Sequence, residues 1–209
     1  LRGAGGKAFI SGADISEFDS KRGNAEQKAS YEKTMGRSNR RLATFEKPMI
    51  AFIEGYCIGG GLATALHADI RIATPDATFG IPAAKLGLGY DYSGLAKLTR
   101  VVGPANARDI MFSARFMNTE EAMHMGVINF VFPREEIEAE TIAYAQRIAR
   151  NAPMTVAAAK AAINAWEAGE REEDLKRVTD LVNACFDSQD YKEGRRAFKE
   201  KRTPDFEGR

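Results

Sequence analysis

Cysteine is nearly absent: Cys57 and Cys185 are the only two in 209 residues, and their separation fits no metal-ligand or redox spacing. A disulfide-stapled scaffold is therefore excluded, and two inert, unpaired thiols suit a reducing compartment. No apolar run approaches the length of a membrane span, and no charged head followed by an apolar core opens the chain as a secretory signal would. Neither sign of charge dominates. Thirty basic residues stand against twenty-nine acidic ones, so no global field draws the chain to nucleic acid or to an acidic partner. Internal repeats and low-complexity segments are also missing. These absences leave a cytoplasmic, globular protein with no membrane and no nucleic acid among its expected partners.

What remains is a composition that folds: 44% hydrophobic and 28% charged residues over a length suited to one main domain. The first half alternates strand and helix patterns. Residues 25 to 45 read as a mostly polar helix ended by Lys47-Pro48, PMIAFIEG as a buried strand, GGLATALHA as a short helix and DIRIAT as an alternating strand. SGLAKLTRVVG closes on glycine, with Pro104 opening the next helix, and NTEEAMHMG offers Asn118 or Thr119 as an N-cap before the strand VINFVF. Beyond Pro133 helical patterns take over, at 134 to 151, 153 to 168, 171 to 188 and 190 to 201. The expected division is an α/β core over 1–133 and a helical region over 134–209 for packing and subunit contacts. LRGAGGKAF reads as the end of a strand entering a glycine-rich turn, which leads us to expect a preceding segment.

Two stretches carry the chemistry. KAFISGADISEF (7 to 18) and EGYCIGGGLATALHADI (54 to 70) each place glycine at a tight strand-to-helix turn, followed by a small residue whose amide would face outward. Two such amides converging would make an oxyanion hole. Either turn alone is a weak signal, since a glycine run is also simply a crowded turn. A dinucleotide fingerprint fails here, because with Gly59 and Gly61 in register the third glycine position falls on Thr64.

In this order the two stretches resemble the crotonase, or enoyl-CoA hydratase/isomerase, family. The likeness continues through HADIRIATPDATFGIPAAKLGLG, LTRVVGPANARDIMFSARFMNTEEAMHMGVINFVFP and EGRRAFKEKR, nearly the whole chain. It implies a spiral of ββα turns with a helical C-terminal region, and the family's usual N-terminal β-α-β segment has no counterpart in the sequence. It also implies assembly as a homotrimer or a dimer of trimers, and a CoA thioester as substrate with no separate cofactor and no metal. The backbone N–H groups of Ala13 and Gly60 would hold the thioester oxygen, with Gly12, Asp14 and Ile15 lining the same loop. Donors of this kind are each worth about 2.7–4 kcal/mol of barrier.

The family's hydratases set two glutamates against the substrate double bond. The resemblance places them at Ala63 and Ala83, and alanine transfers no proton. Asp91 aligns with a working aspartate of the family's dienoyl-CoA isomerases and aromatic dehalogenases, and Tyr90 with a functional tyrosine of its decarboxylases. The plainer readings are an N-cap for Asp91 and a packing role for Tyr90. One carboxylate can shuttle a proton between two carbons, so isomerase-like or other enolate chemistry is expected over two-glutamate hydration. The alternatives are an acyl-CoA decarboxylase and a non-catalytic acyl-CoA-binding protein.

Other polar residues read as structural. His67 and His124 suit core or interface positions, Asp69, Asp76 and Asp14 suit caps and turns, and Glu17 and Glu54 are weaker candidates for the pocket. The stretch KEGRRAFKEKR (192 to 202) carries six positive and two negative residues around Phe198. It reads as a solvated helix face. The resemblance adds that Phe198 and Lys201 reach the adenine and phosphates of CoA.

Overall fold

The computed structural model describes residues 1–12 and 25–209. The chain divides into two compact units: Leu1–Phe45 with Met49–Thr141, and Glu46–Pro48 with Ile142–Arg209. In the first unit, strands β1 (Ala8–Ile10), β2 (Ile50–Ile53), β3 (Tyr56–Ile58), β4 (Ile70–Ala73), β5 (Thr78–Gly80) and β6 (Phe130–Val131) are short. They are dealt alternately to two parallel sheets, ordered β1-β3-β5 and β2-β4-β6. Tight turns make this alternation possible. Gly55, at φ 58°, turns β2 into β3, and a Cβ there would stand 2.2 Å from the Lys7 carbonyl oxygen. Between β4 and β5 the Ala77 amide closes a turn on the Thr74 carbonyl at 3.0 Å.

Helices return the chain between strands. The helix α1 (Ala25–Ala43) precedes β2, and α2 (Gly60–Ala65) leads from β3 toward β4. After β5 come a 3-10 turn (Pro82–Leu86), α3 (Tyr92–Ser113) and α4 (Thr119–His124). The expected glycine stop and proline start inside α3 are present as a kink, since Gly103 takes φ 76°, ψ 162° and Pro104 opens the second half. Asn118 caps α4: its side chain accepts from the Glu121 amide at 2.9 Å and Glu121 reaches back to the Asn118 amide at 3.2 Å. The core between the sheets and helices is built on Ile53, Leu62, Leu66, Phe79, Leu98, Ile110, Met117 and Val127.

Two elements depart from the sequence pattern. DIRIAT alternates like a half-solvated strand, yet Arg71 is buried in β4. Its guanidinium donates to the Val127 and Ala68 carbonyls at 2.6 and 2.7 Å, so backbone acceptors replace water. VINFVF yields a strand of only two residues, because Val127 and Ile128 amides close back on the Ala122 carbonyl.

The second unit is helical: α5 (Ile137–Ala149) enters it, followed by α6 (Pro153–Glu167), α7 (Glu172–Asp187) and α8 (Gln189–Glu200). The helical C-terminal region is thus as expected. Among the described residues no helix is long and apolar enough to cross a membrane.

Candidate active site

Three neighbouring parallel strands, β1, β3 and β5, end on the same edge of their sheet and each runs into a turn. Loops at the C-terminal ends of parallel strands are where backbone is free to meet a ligand. Gly12 follows β1, Gly59 and Gly60 follow β3, and the 3-10 turn bearing Ala83 follows β5. The two glycine turns meet: a Cβ on Gly59 would lie 4.0 Å from the Gly12 Cα, and one on Gly12 would lie 3.8 Å from the Ile58 oxygen.

Each glycine of the run has a separate task. Gly59 takes φ 58° and anchors the turn by donating its amide to the Gly80 carbonyl at 2.8 Å. Gly61 lets α2 lie against β1, since a Cβ on it would stand 2.0 Å from the Ile10 carbonyl oxygen. Gly60 is exposed, and a Cβ there would meet nothing within 4 Å. Steric demand therefore accounts for Gly59 and Gly61 and leaves Gly60 as the residue facing open space. Its amide opens α2, where no residue four positions back is available within the helix, and Gly59 brings no capping side chain. This arrangement leaves the Gly60 amide without a partner inside its own helix. Ala13, Asp14, Ile15 and Glu17 lie outside the described residues.

No residue of α2 is charged, and the one charge on the 3-10 turn is Lys85, exposed in its last turn. Ala63 is half-buried and Ala83 is buried. Thr64 returns its hydroxyl to the Gly60 carbonyl at 2.8 Å. Cys57, inside β3, is fully buried, and desolvation pushes its thiol up to about 12, which leaves it protonated and unreactive at neutral pH.

Asp91 is the N-cap of α3. Its Oδ1 accepts from the Gly94 amide and from the Ser93 hydroxyl, both at 2.8 Å, and the residue is exposed. The cap holds the carboxylate in a fixed orientation at the end of the loop that follows the 3-10 turn. Tyr90, half-buried, packs on the core and lies against Gly94.

The carboxylates among the remaining candidates have structural partners. Glu54 is 6% exposed and sits between Arg2, at 3.3 Å, and Arg134, at 2.8 Å. Asp76 pairs with Arg134 at 2.8 Å, its pKa is lowered by the neighbouring Thr74 and by Arg134, and Asp69 accepts the Met49 amide at 2.6 Å. His67 is half-buried on the segment after α2, and His124 is exposed at the end of α4. In the second unit Phe198 is 85% exposed, and Lys201, at the end of α8, takes a left-handed φ of 54°. Sequence reading passed over Gly61 and the Gly80 carbonyl. The signal for Gly61 was its place in a run of three, but only the distance to Ile10 separates its task from that of Gly60.

Comparison with known proteins fits this geometry. The family model for enoyl-CoA hydratase/isomerase matches residues 1–209. The chain belongs to the enoyl-CoA hydratase/isomerase family. A short-chain-enoyl-CoA hydratase of Clostridium acetobutylicum is 36% identical over 202 residues, covering 97% of this chain and 77% of that protein. The methylmalonyl-CoA decarboxylase of Escherichia coli is 31% identical over 207 residues, with 98% and 78% covered. A solved enoyl-CoA hydratase/carnithine racemase of Magnetospirillum magneticum superposes with a TM-score of 0.92 at 39% identity, over all of this chain and 78% of that one. The fold is that of the crotonase superfamily, and the chain is an acyl-CoA-processing enzyme of this type.

Proposed function

We propose that this enzyme works through a thioester enolate whose oxygen is held by the backbone N–H groups of Ala13 and Gly60, with Asp91 as the proton carrier and Tyr90 beside it. The observation that carries this reading is Gly60, an exposed residue that opens α2 while the glycines on either side are accounted for by close approach and positive φ. An enolate needs its charge met by donors already in place, and backbone amides do this without a charged side chain. Ala63 and Ala83 stand where the resemblance puts the two hydratase glutamates, so two-carboxylate hydration has no proton carriers there. Asp91 can remove a proton from one carbon and return it to another, which moves a double bond along the acyl chain. Gly12, Asp14 and Ile15 complete the loop around the thioester, and Phe198 and Lys201 meet the CoA nucleotide. A cytoplasmic homotrimer or dimer of trimers is the expected assembly.

Asp91 also gives the decisive variant. Asparagine caps a helix as well as aspartate does, so Asp91→Asn keeps the fold, whereas Asp91→Ala costs about 1 kcal/mol through the lost cap. The expected outcome with a panel of enoyl-, dienoyl-, malonyl- and aryl-CoA thioesters is product formation by the parent enzyme and none by Asp91→Asn, read by mass spectrometry. Deuterium uptake at Cα reports the enolate. Undiminished turnover by Asp91→Asn removes Asp91 from the chemistry, and no turnover of any thioester by the parent removes the enolate reading.

Decarboxylation is a second reading, favoured by the relation to methylmalonyl-CoA decarboxylase and by the neutral residues at 63 and 83. Loss of CO2 from a malonyl-type thioester leaves its electron pair in the same enolate, and a nearby donor then protonates Cα. Release of CO2 from the malonyl member of the panel separates this reading from isomerisation.

A further inference from the structure

The end of α8 is held in place by a carboxylate that the proposed site does not use. Lys201 closes the helix in the left-handed region, which glycine enters freely and lysine does not. Its amide donates to the Phe198 carbonyl at 3.3 Å, and that of Arg202 to the Ala197 carbonyl at 3.1 Å. What holds the turn is Glu193, about two turns back on α8, with its side chain 11% exposed. Glu193 accepts from Arg202 Nη1 and Nη2 at 2.5 and 3.1 Å and from the Asp205 amide at 3.2 Å, and it also pairs with Arg196. Both oxygens are engaged, by groups on each side of residue 201. A second carboxylate, Asp190, is buried and takes the Glu207 and Gly208 amides at 2.8 and 2.9 Å, so the chain after α8 is tied along that helix. Phe198, meanwhile, projects into solvent at 85% exposure beside this fixed turn.

We propose that Glu193 is a positioning residue: by clamping Arg202 and Asp205 it holds Lys201 in its left-handed turn beside Phe198, and so presets the pair for the nucleotide end of CoA. This rests on the reading of Phe198 and Lys201 as CoA contacts. The ligand is an adenosine bearing a 3′-phosphate and a 5′-diphosphate, which asks for one aromatic face and a cation at a set separation. A lysine released from its turn would have to be ordered at the moment of binding, and that ordering weakens affinity.

The sign of the effect makes the clamp testable. Deleting an acid next to a polyanion site, taken as charge alone, tightens binding. The clamp demands the reverse. In the full-length protein, Glu193→Gln is expected to weaken CoA binding about tenfold by calorimetry, with crotonyl-pantetheine, which lacks the nucleotide, bound as by the parent. Amide exchange at Lys201 and Asp205 rises in the same variant. Glu200→Gln is the control, because Glu200 accepts only from Arg202 Nε, at 2.6 Å, among the hydrogen bonds described. It removes the same charge from the same helix and leaves CoA affinity equal or tighter. Tighter CoA binding by Glu193→Gln, equal weakening by Glu200→Gln, weakening without faster exchange at 201 and 205, or parallel loss of crotonyl-pantetheine each overturns the clamp. If the parent binds CoA no better than crotonyl-pantetheine, the nucleotide reading of Phe198 and Lys201 itself fails.

Discussion

Gly59, Gly60 and Gly61 are chemically identical, so their different neighbours alone decide what each tolerates. At Gly61 a methyl group would stand 2.0 Å from the Ile10 carbonyl oxygen, which is backbone and has no rotamer to yield. Gly61→Ala should therefore push α2 off β1 and cost at least about 3 kcal/mol, measured by urea unfolding. Gly60→Ala meets nothing within 4 Å and lies in the first turn of a helix, where alanine is at least as good as glycine. Its stability should stay within about 0.5 kcal/mol of the parent. The added methyl stands beside the proposed donor, so thioester turnover should fall by at least tenfold, about 1.4 kcal/mol of barrier. A parent-like rate in Gly60→Ala would show that no reacting oxygen sits against that amide. The sequence made the glycine run conspicuous without ranking its members, because distance to a strand 50 residues away carries no local code.

At the scale of elements, helix ends were the most legible feature. Asn118 with Glu121, Gly103 with Pro104, and Asp91 before α3 all carry the capping chemistry their residue types announce. Strands were less so: β5 has three residues, too few for a period, and owes its existence to pairing with β3. The clamp on α8 was hidden because Glu193 reads as one charge in a mixed helix face until its partners are located. Its carboxyl is drawn down to about 2, first by the Arg202 hydrogen bonds and then by the Asp205 amide. A depressed carboxyl stabilises above its ordinary value, 4.5, and that contribution disappears as pH falls toward 2. The end of α8 should consequently loosen across that acid window. The Asp205 amide resonance, followed by NMR, should titrate with Glu193 in the parent and lose that transition in Glu193→Gln.

Across the first unit, one buried carboxylate joins segments that lie far apart in the chain. Glu54 receives Arg2 and Arg134, Arg134 also donates to the Gly6 carbonyl at 3.1 Å and pairs with Asp76, and Arg2 continues to Glu138 at 2.9 Å. Residues 2, 6, 54, 76, 134 and 138 are thus tied at the turn between β2 and β3, at the ends of those strands remote from the glycine turns after β1 and β3. The network has no sequence signature, since its members sit in four separate stretches of the chain and each charged one reads as an ordinary surface charge. The arginines are half-exposed, so each bridge alone is screened and modest. Glu54 is different because it is the shared, desolvated partner. Glu54→Ala removes both bridges at once and leaves a small cavity behind the turn, for which we expect a loss of roughly 2–3 kcal/mol in chemical denaturation. Glu54→Gln keeps the shape and one acceptor and should lose less. Raising salt to about 1 M, where the screening length is about 3 Å, should leave most of the difference between parent and Glu54→Ala in place, because the carboxylate is shielded from bulk ions. If salt erased that difference, the network would be a set of surface pairs and not a buried tie. Thioester turnover per folded molecule should be unchanged in either variant, since the tie acts at the opposite end of the strands from Gly60.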